Sequence, residues 1–141
     1  MTIYDPNNIF AKILRGEVPA HKVYEDERTF AFLDIMPQAA GHILVIPKTT
    51  ARNILDITPD DLANLIKVTQ KIAKTAVRVF AADGVNIFQF NEPAAGQTVF
   101  HLHFHVIPRK HGVPLKPPAS FKEDAAVLSD QALKLAAALK T

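Results

Sequence analysis

A chain of 141 residues carries about one domain's worth of sequence at roughly 150 residues per domain, so one core and one site are expected and two full catalytic domains are excluded. With 48% hydrophobic residues, 21% charged residues and a mean hydropathy of +0.07, it has the apolar material for a packed core. Sixteen Lys and Arg against 14 Asp and Glu give a net charge of +2 without any block of like charge, which argues against a nucleic-acid partner. The absence of cysteine excludes disulfides, thiolate metal sites, iron–sulfur clusters and thiol nucleophiles. Met1 to Asn8 lacks a basic stretch followed by an apolar run, and no uncharged apolar stretch reaches about 18 residues, so a cytoplasmic domain without leader or membrane span is expected.

Ile9, Phe10, Ile13 and Leu14 recur at helical spacing, with Asn7 or Asn8 as cap and Gly16 as stop. Lys22–Glu25 and Thr29–Leu33 are β-rich runs on either side of Asp26-Glu27-Arg28, a turn of hairpin length. His42–Ile46 is nearly continuously apolar and suits a central strand buried on both faces. Thr58-Pro59-Asp60-Asp61 opens a long helix whose face is Leu62, Leu65, Ile66, Thr69, Ile72, Ala73, Ala76 and Phe80, ending at Asp83-Gly84. Strands are predicted over Val85–Phe90 and Val99–Ile107, joined by a loop rich in turn formers, Asn91 to Thr98. A Pro-rich linker, Pro114 to Pro118, precedes a last helix that Ser120-Phe121-Lys122-Glu123 would cap, with Leu128, Ala132, Leu135 and Leu139 as its stripe. The class is α+β, a mostly antiparallel sheet with helices on one side.

Chemistry concentrates in Val99–Pro108. On a strand, His101, His103 and His105 share one face while Phe100, Leu102, Phe104 and Val106 share the other. With six histidines in the chain, such an alternation arises by chance roughly 0.01 times. Three readings follow: polar residues on a strand whose other face is core; a metal site; or nucleophilic catalysis on a phosphoryl or acyl group. Same-face neighbours lie about 6.7 Å apart, so three rings reach one ion poorly and a zinc site would use two of them with a donor from elsewhere. That spread suits a nucleophile flanked by hydrogen-bonding imidazoles, and His103 is the one with a same-face histidine on each side. Gly96, Gln97 and Thr98, just before it, permit close approach and offer an amide and a hydroxyl to phosphoryl oxygens, or serve only as a hairpin connection.

His101-Leu102-His103-Phe104-His105-Val106-Ile107 resembles the signature of the histidine triad (HIT) family, three histidines alternating with apolar residues. The resemblance extends over Ile9–Ile13, Val23–Glu27, Phe32–Ala39, Gly41–Lys48 and Ala95–Val99. It implies a HIT-like fold in residues 1–113, with 114–141 as linker and C-terminal helix packed on or beside it. The implied activity is that of a purine nucleotide-binding hydrolase or transferase, which acts at the α-phosphate through a nucleotidyl-histidine intermediate and needs no cofactor. By motif position His103 is the nucleophile, His105 and His101 support it, and His42 is the additional histidine. Asp34 falls where the family binds ribose, Ile35, Phe10 and Ile13 where it holds the base, and Asn91, Gly96, Gln97 and Thr98 on the phosphate side. Ordinary core packing is the competing account of Phe10, Ile13 and Ile35. Where relatives hold a structural zinc, this chain has Asn8, Ala11 and Thr50, so no metal is expected. A homodimer is implied. The segment Ile9 to Ala39 favours a Hint-like phosphoramidase. Gly96–Val99 with Arg109 and Lys110 leans toward a dinucleoside polyphosphate hydrolase, and a nucleotide-binding regulator with little turnover is the other alternative.

Overall fold

The computed structural model describes residues 3–140; Met1, Thr2 and Thr141, which belong to the expected segments 1–113 and 114–141 and in part to the leader reading, lie outside the described residues. Helix α1 (Ile9–Leu14) begins where Asn8, in extended conformation, accepts the Ala11 N–H, and it ends at Arg15 before a left-handed Gly16. Strands β1 (Lys22–Glu25) and β2 (Thr29–Leu33) form the expected hairpin, its turn held by the Asp26 carboxylate accepting the Arg28 and Thr29 N–H groups at 2.8 Å each. Strand β3 (Ile43–Pro47) buries all of its residues. In helix α2 (Pro59–Val79) the Thr58 hydroxyl accepts the Asp61 N–H, and Arg28 pairs with Asp60 and Asp61 in the first turn. Strand β4 (Gly84–Phe88), a 3₁₀ turn at Pro93–Ala95, strand β5 (Phe104–Arg109) and helix α3 (Ala125–Leu139) complete the chain. All pairings are antiparallel, in the order β1-β2-β3-β5-β4, so β3 is the central strand its composition demands.

Three expectations need correction. Helices α2 and α3 cover one face, packing Leu65, Ile72, Leu128 and Leu135 against Ala31, Leu33, Val45 and Val106. Helix α1 lies on the other face, where Phe10 packs with Phe32, Leu44 and Ile46. The cap of α3 is Asp124, whose carboxylate accepts the Ala126 N–H at 2.9 Å; Ser120 instead donates to the Pro117 carbonyl. The residues expected to form the capping box are held in the approach to the helix, where Glu123 N–H bonds the Ile35 carbonyl. The stripe Leu128, Ala132, Leu135 and Leu139 is buried as its spacing requires.

The strand expected over Val99–Ile107 starts only at Phe104, and β4 stops at Phe88. Val45 pairs with Phe104, and two residues beyond Val45 the partner strand reaches Pro47, which has no N–H to continue the ladder. His101 and His103 therefore stand on irregular backbone, tied in by the Leu102 N–H to the Ala51 carbonyl at 2.8 Å. The alternation survives the loss of the ladder: Leu102, Phe104 and Val106 belong to the core.

Candidate active site

A cavity of about 310 Å³ opens beside α1 on the sheet face that this helix covers. Phe10, Ile13 and Ile35 give it apolar wall, and Asp34, His42, His103, His105 and Thr98 give it polar groups. The topology explains the convergence. Asp34 follows β2, His42 precedes β3, and His105 lies on β5, which pairs with β3 so that Leu44 stands opposite His105. The rings of Phe10 and His103 meet in a T-shaped arrangement at a centroid distance of 4.9 Å and an interplanar angle of 89°. His103 and His105 lie 5.0 Å apart between centroids.

Burial lowers the pKa of all four histidines. It takes His42 and His101 to about 4 and His105 to about 3, with neighbouring His103 adding to the effect in each case. His103 is lowered by burial against a smaller opposing effect of its bond to the His101 carbonyl. At neutral pH the site holds uncharged imidazoles, and their partners then assign the protons. A carbonyl can only accept and a main-chain N–H can only donate. His103 Nδ1 meets the His101 carbonyl at 2.7 Å and so carries the proton, leaving Nε2 with a lone pair. His101 Nε2 donates to the Pro47 carbonyl at 2.8 Å, so its Nδ1 accepts the Tyr4 hydroxyl at 2.6 Å. The Gln38 N–H donates to His42 Nδ1 at 3.1 Å, which places the His42 proton on Nε2. That proton is donated to His105 Nδ1 at 2.9 Å, and His105 is left with its own proton on Nε2.

Burial raises the Asp34 pKa, opposed by the Met36 N–H that bonds its Oδ1 at 2.9 Å. Its other oxygen lies 3.7 Å from His42 Nε2. Asp34, His42 and His105 offer ligand atoms that all lie within 4.8 Å of one another, a donor set a divalent ion could use. To bind there, the ion would have to displace the proton shared by His42 and His105.

His101 stands behind this group, fully buried, and is absent from the cavity wall. The loop residues expected on the phosphate side divide. Thr98 lines the cavity. Buried Gln97 spends its side chain on the protein: Oε1 accepts from the Glu92 N–H and Asn53 Nδ2, and Nε2 donates to the carbonyls of Arg52 and Val99. Gly96 holds φ +94° where a Cβ would meet the Phe90 ring at 3.6 Å. Asn91 bonds the Gln89 side chain and the Ile54 N–H. Gln97, Gly96 and Asn91 thus shape the loop that carries Thr98 to the cavity.

The HIT domain family model matches residues 15–112. The chain belongs to the HIT family. A HIT-like protein from Bartonella henselae, solved with an unknown ligand, superposes with a TM-score of 0.90 at 51% identity, covering 96% of this chain and 99% of that one. The adenosine 5′-monophosphoramidase of Candida albicans is 39% identical over 106 residues, 72% of this chain and 70% of its own. An Arabidopsis thaliana adenylylsulfatase is 33% identical over 132 residues, 94% of this chain and 67% of its own. Relatives from Methanocaldococcus jannaschii and Borreliella burgdorferi, 46% and 45% identical, are named only as HIT-like proteins.

Beyond the triad, this HIT protein uses residues that sequence reasoning passed over. Tyr4 orients His101, and Gln38 fixes His42 through its main chain, which no side-chain pattern could announce. Pro118, the last residue of the expected linker, and Ala119 just after it reach the cavity wall. Arg52 pairs with Glu92 through two bonds, at 2.7 and 3.1 Å, and so braces the loop before the triad.

Proposed function

We propose that this HIT protein hydrolyses nucleoside 5′-phosphate derivatives at the α-phosphorus, with His103 as nucleophile and a purine nucleoside phosphoramidate as the first substrate class. The observation that carries the reading is the main-chain lock on His103: Nδ1 is committed to the His101 carbonyl, and Nε2 is the unprotonated nitrogen of a neutral ring in the cavity wall. In the first step the Nε2 lone pair forms a bond to phosphorus as the bond to the leaving nitrogen breaks; the amine departs with the proton that this nitrogen carried into the site. The positive charge left on the His103 ring is stabilised by its Nδ1–H on the carbonyl. In the second step water oxygen replaces Nε2 on phosphorus, releasing the nucleoside monophosphate, a proton and neutral His103. His105 Nε2–H is the donor for a phosphoryl oxygen, held to that role by the relay from the Gln38 N–H through His42. Phe10, Ile13 and Ile35 suit a base, and Asp34 suits ribose hydroxyls. Two relatives named for adenosine 5′-monophosphoramidase and adenylylsulfatase activities support an adenosine nucleotide as substrate.

The test is steady-state release of AMP from adenosine 5′-phosphoramidate, with diadenosine polyphosphates alongside, for the parent and His103→Ala. Release that survives EDTA and falls at least about a thousandfold in the variant is the expected result. Equal turnover by the variant would refute the assignment. A higher specificity constant for diadenosine polyphosphates would move the substrate class to dinucleoside polyphosphates, and binding without turnover would leave a nucleotide-binding regulator. The Asp34–His42–His105 set favours one other reading, metal-assisted hydrolysis, which predicts loss of activity with EDTA and recovery with zinc.

A further inference from the structure

We infer that residues 116–119 are a fixed wall of the nucleoside pocket, supplied by the chain's own C-terminal segment, and that Pro118 and Ala119 contact the base; this rests on the nucleotide reading of the site. Both residues line the cavity with Phe10, Ile13, Ile35 and His103. The segment is fastened on the cavity side by a reciprocal clasp, in which the Lys116 N–H donates to the Gln38 carbonyl at 2.8 Å and Gln38 Nε2 donates back to the Lys116 carbonyl at 3.2 Å. A second fastening follows, from the Glu123 N–H to the Ile35 carbonyl at 2.9 Å. Beyond it α3 sinks Leu128, Leu135 and Leu139 into the core, and at the other end the segment continues from β5. It is therefore tethered at both ends and in the middle.

Its composition suits a wall. Pro117 and Pro118 have fixed φ and no N–H to leave unpaired beside an apolar ligand. Ala119 is held at φ +52°, a left-handed conformation that an alanine keeps only where its surroundings dictate it. The Ser120 hydroxyl on the Pro117 carbonyl at 2.7 Å closes the turn. The groups this wall presents, a proline ring and a methyl, have no affinity for phosphate and suit the face of a base. The clasp partner Gln38 also supplies the N–H that fixes His42, so wall and catalytic relay share one loop.

The experiment compares the full-length parent, Pro118→Gly/Ala119→Gly, and the milder Pro118→Ala. Binding of AMP and of ribose 5-phosphate is measured by calorimetry, with kcat and KM for adenosine 5′-phosphoramidate and the melting temperature as companions. The expected result is AMP binding weaker by about tenfold in the double variant, the loss of one small apolar contact, and weaker by less in Pro118→Ala. Ribose 5-phosphate binding and kcat should stay within about twofold and KM should rise with the AMP dissociation constant. Unchanged AMP binding in both variants would overturn the wall. Equal loss of AMP and ribose 5-phosphate with a fall in kcat would overturn it too, placing the effect in the Gln38 relay. If the parent binds no AMP, the nucleotide reading fails and the proposal falls with it. If the double variant unfolds, Pro118→Ala decides between the same outcomes.

Discussion

At the residue scale, the site stores its sensitivity to acid in four uncharged rings. An imidazole whose folded pKa is lowered takes up its proton more readily in the unfolded chain. The folded state therefore keeps its full stability above about pH 6.5 and loses it as pH falls from there toward the folded values, about 4 for His42 and His101 and about 3 for His105. Denaturant unfolding should show a lower free energy at pH 4.5 than at pH 7.5, whereas a flat profile would contradict the burial argument. Carboxylates held low by partners, such as Glu92 beside Arg52, add their losses only nearer the carboxylate range. Tyr4→Phe removes the donor that meets His101 Nδ1 among the described residues and leaves a buried acceptor unpaired, a cost of about 1–3 kcal/mol readable in thermal unfolding. Since Tyr4 is absent from the cavity wall, the variant should lose stability before it loses nucleotide affinity.

At the scale of elements, what was legible followed period and punctuation. The Asn8 and Thr58 caps, the Asp26 turn, the all-apolar β3 and the α3 stripe each rest on a local rule that the folded chain obeys. The triad was legible because alternation is itself local. What escaped depends on a partner far along the chain: the start of β5 is set by Pro47 on another strand, and the false capping box at Ser120 by bonds to the Ile35–Gln38 loop. Gln97 shows the same limit, since its sequence neighbours suit a ligand contact while Asn53, Arg52 and Glu92 claim it. Gln97→Ala should accordingly destabilise the protein by about 1–3 kcal/mol, by leaving buried partners unpaired, and weaken turnover only through displacement of the loop. Leu135→Ala, at a position with 0% exposure, should cost about 2–5 kcal/mol in the same assay. A value near zero for Leu135→Ala would detach α3 from the core and with it the fixed wall.

For the whole molecule, the two edges of the sheet differ. β1 is packed by α3, while β4 has no strand on its outer side among the described residues and carries a half-exposed Ile87. The family resemblance implies a homodimer, and the free edge of β4 is where we expect a second copy to pair. Light scattering should give a mass near twice 15.5 kDa, and a monomer mass would remove the expectation. No helix among the described residues is long and apolar enough to cross a membrane.

The bond from Tyr4 to His101 spans 97 positions, whereas the β1–β2 hairpin closes across a turn of three residues. Joining such distant points costs more chain entropy than closing a hairpin, so nothing local rewards the contact until the sheet that supports it exists. The order of events during refolding follows: the hairpin and β3 gain protection from solvent exchange early, and the amides around His103 gain it late. Pulse labelling with deuterium would read that order directly. The triad is then among the last parts of the molecule to be finished, and a newly refolded population should regain its spectroscopic signature before it regains the ability to turn over nucleotide.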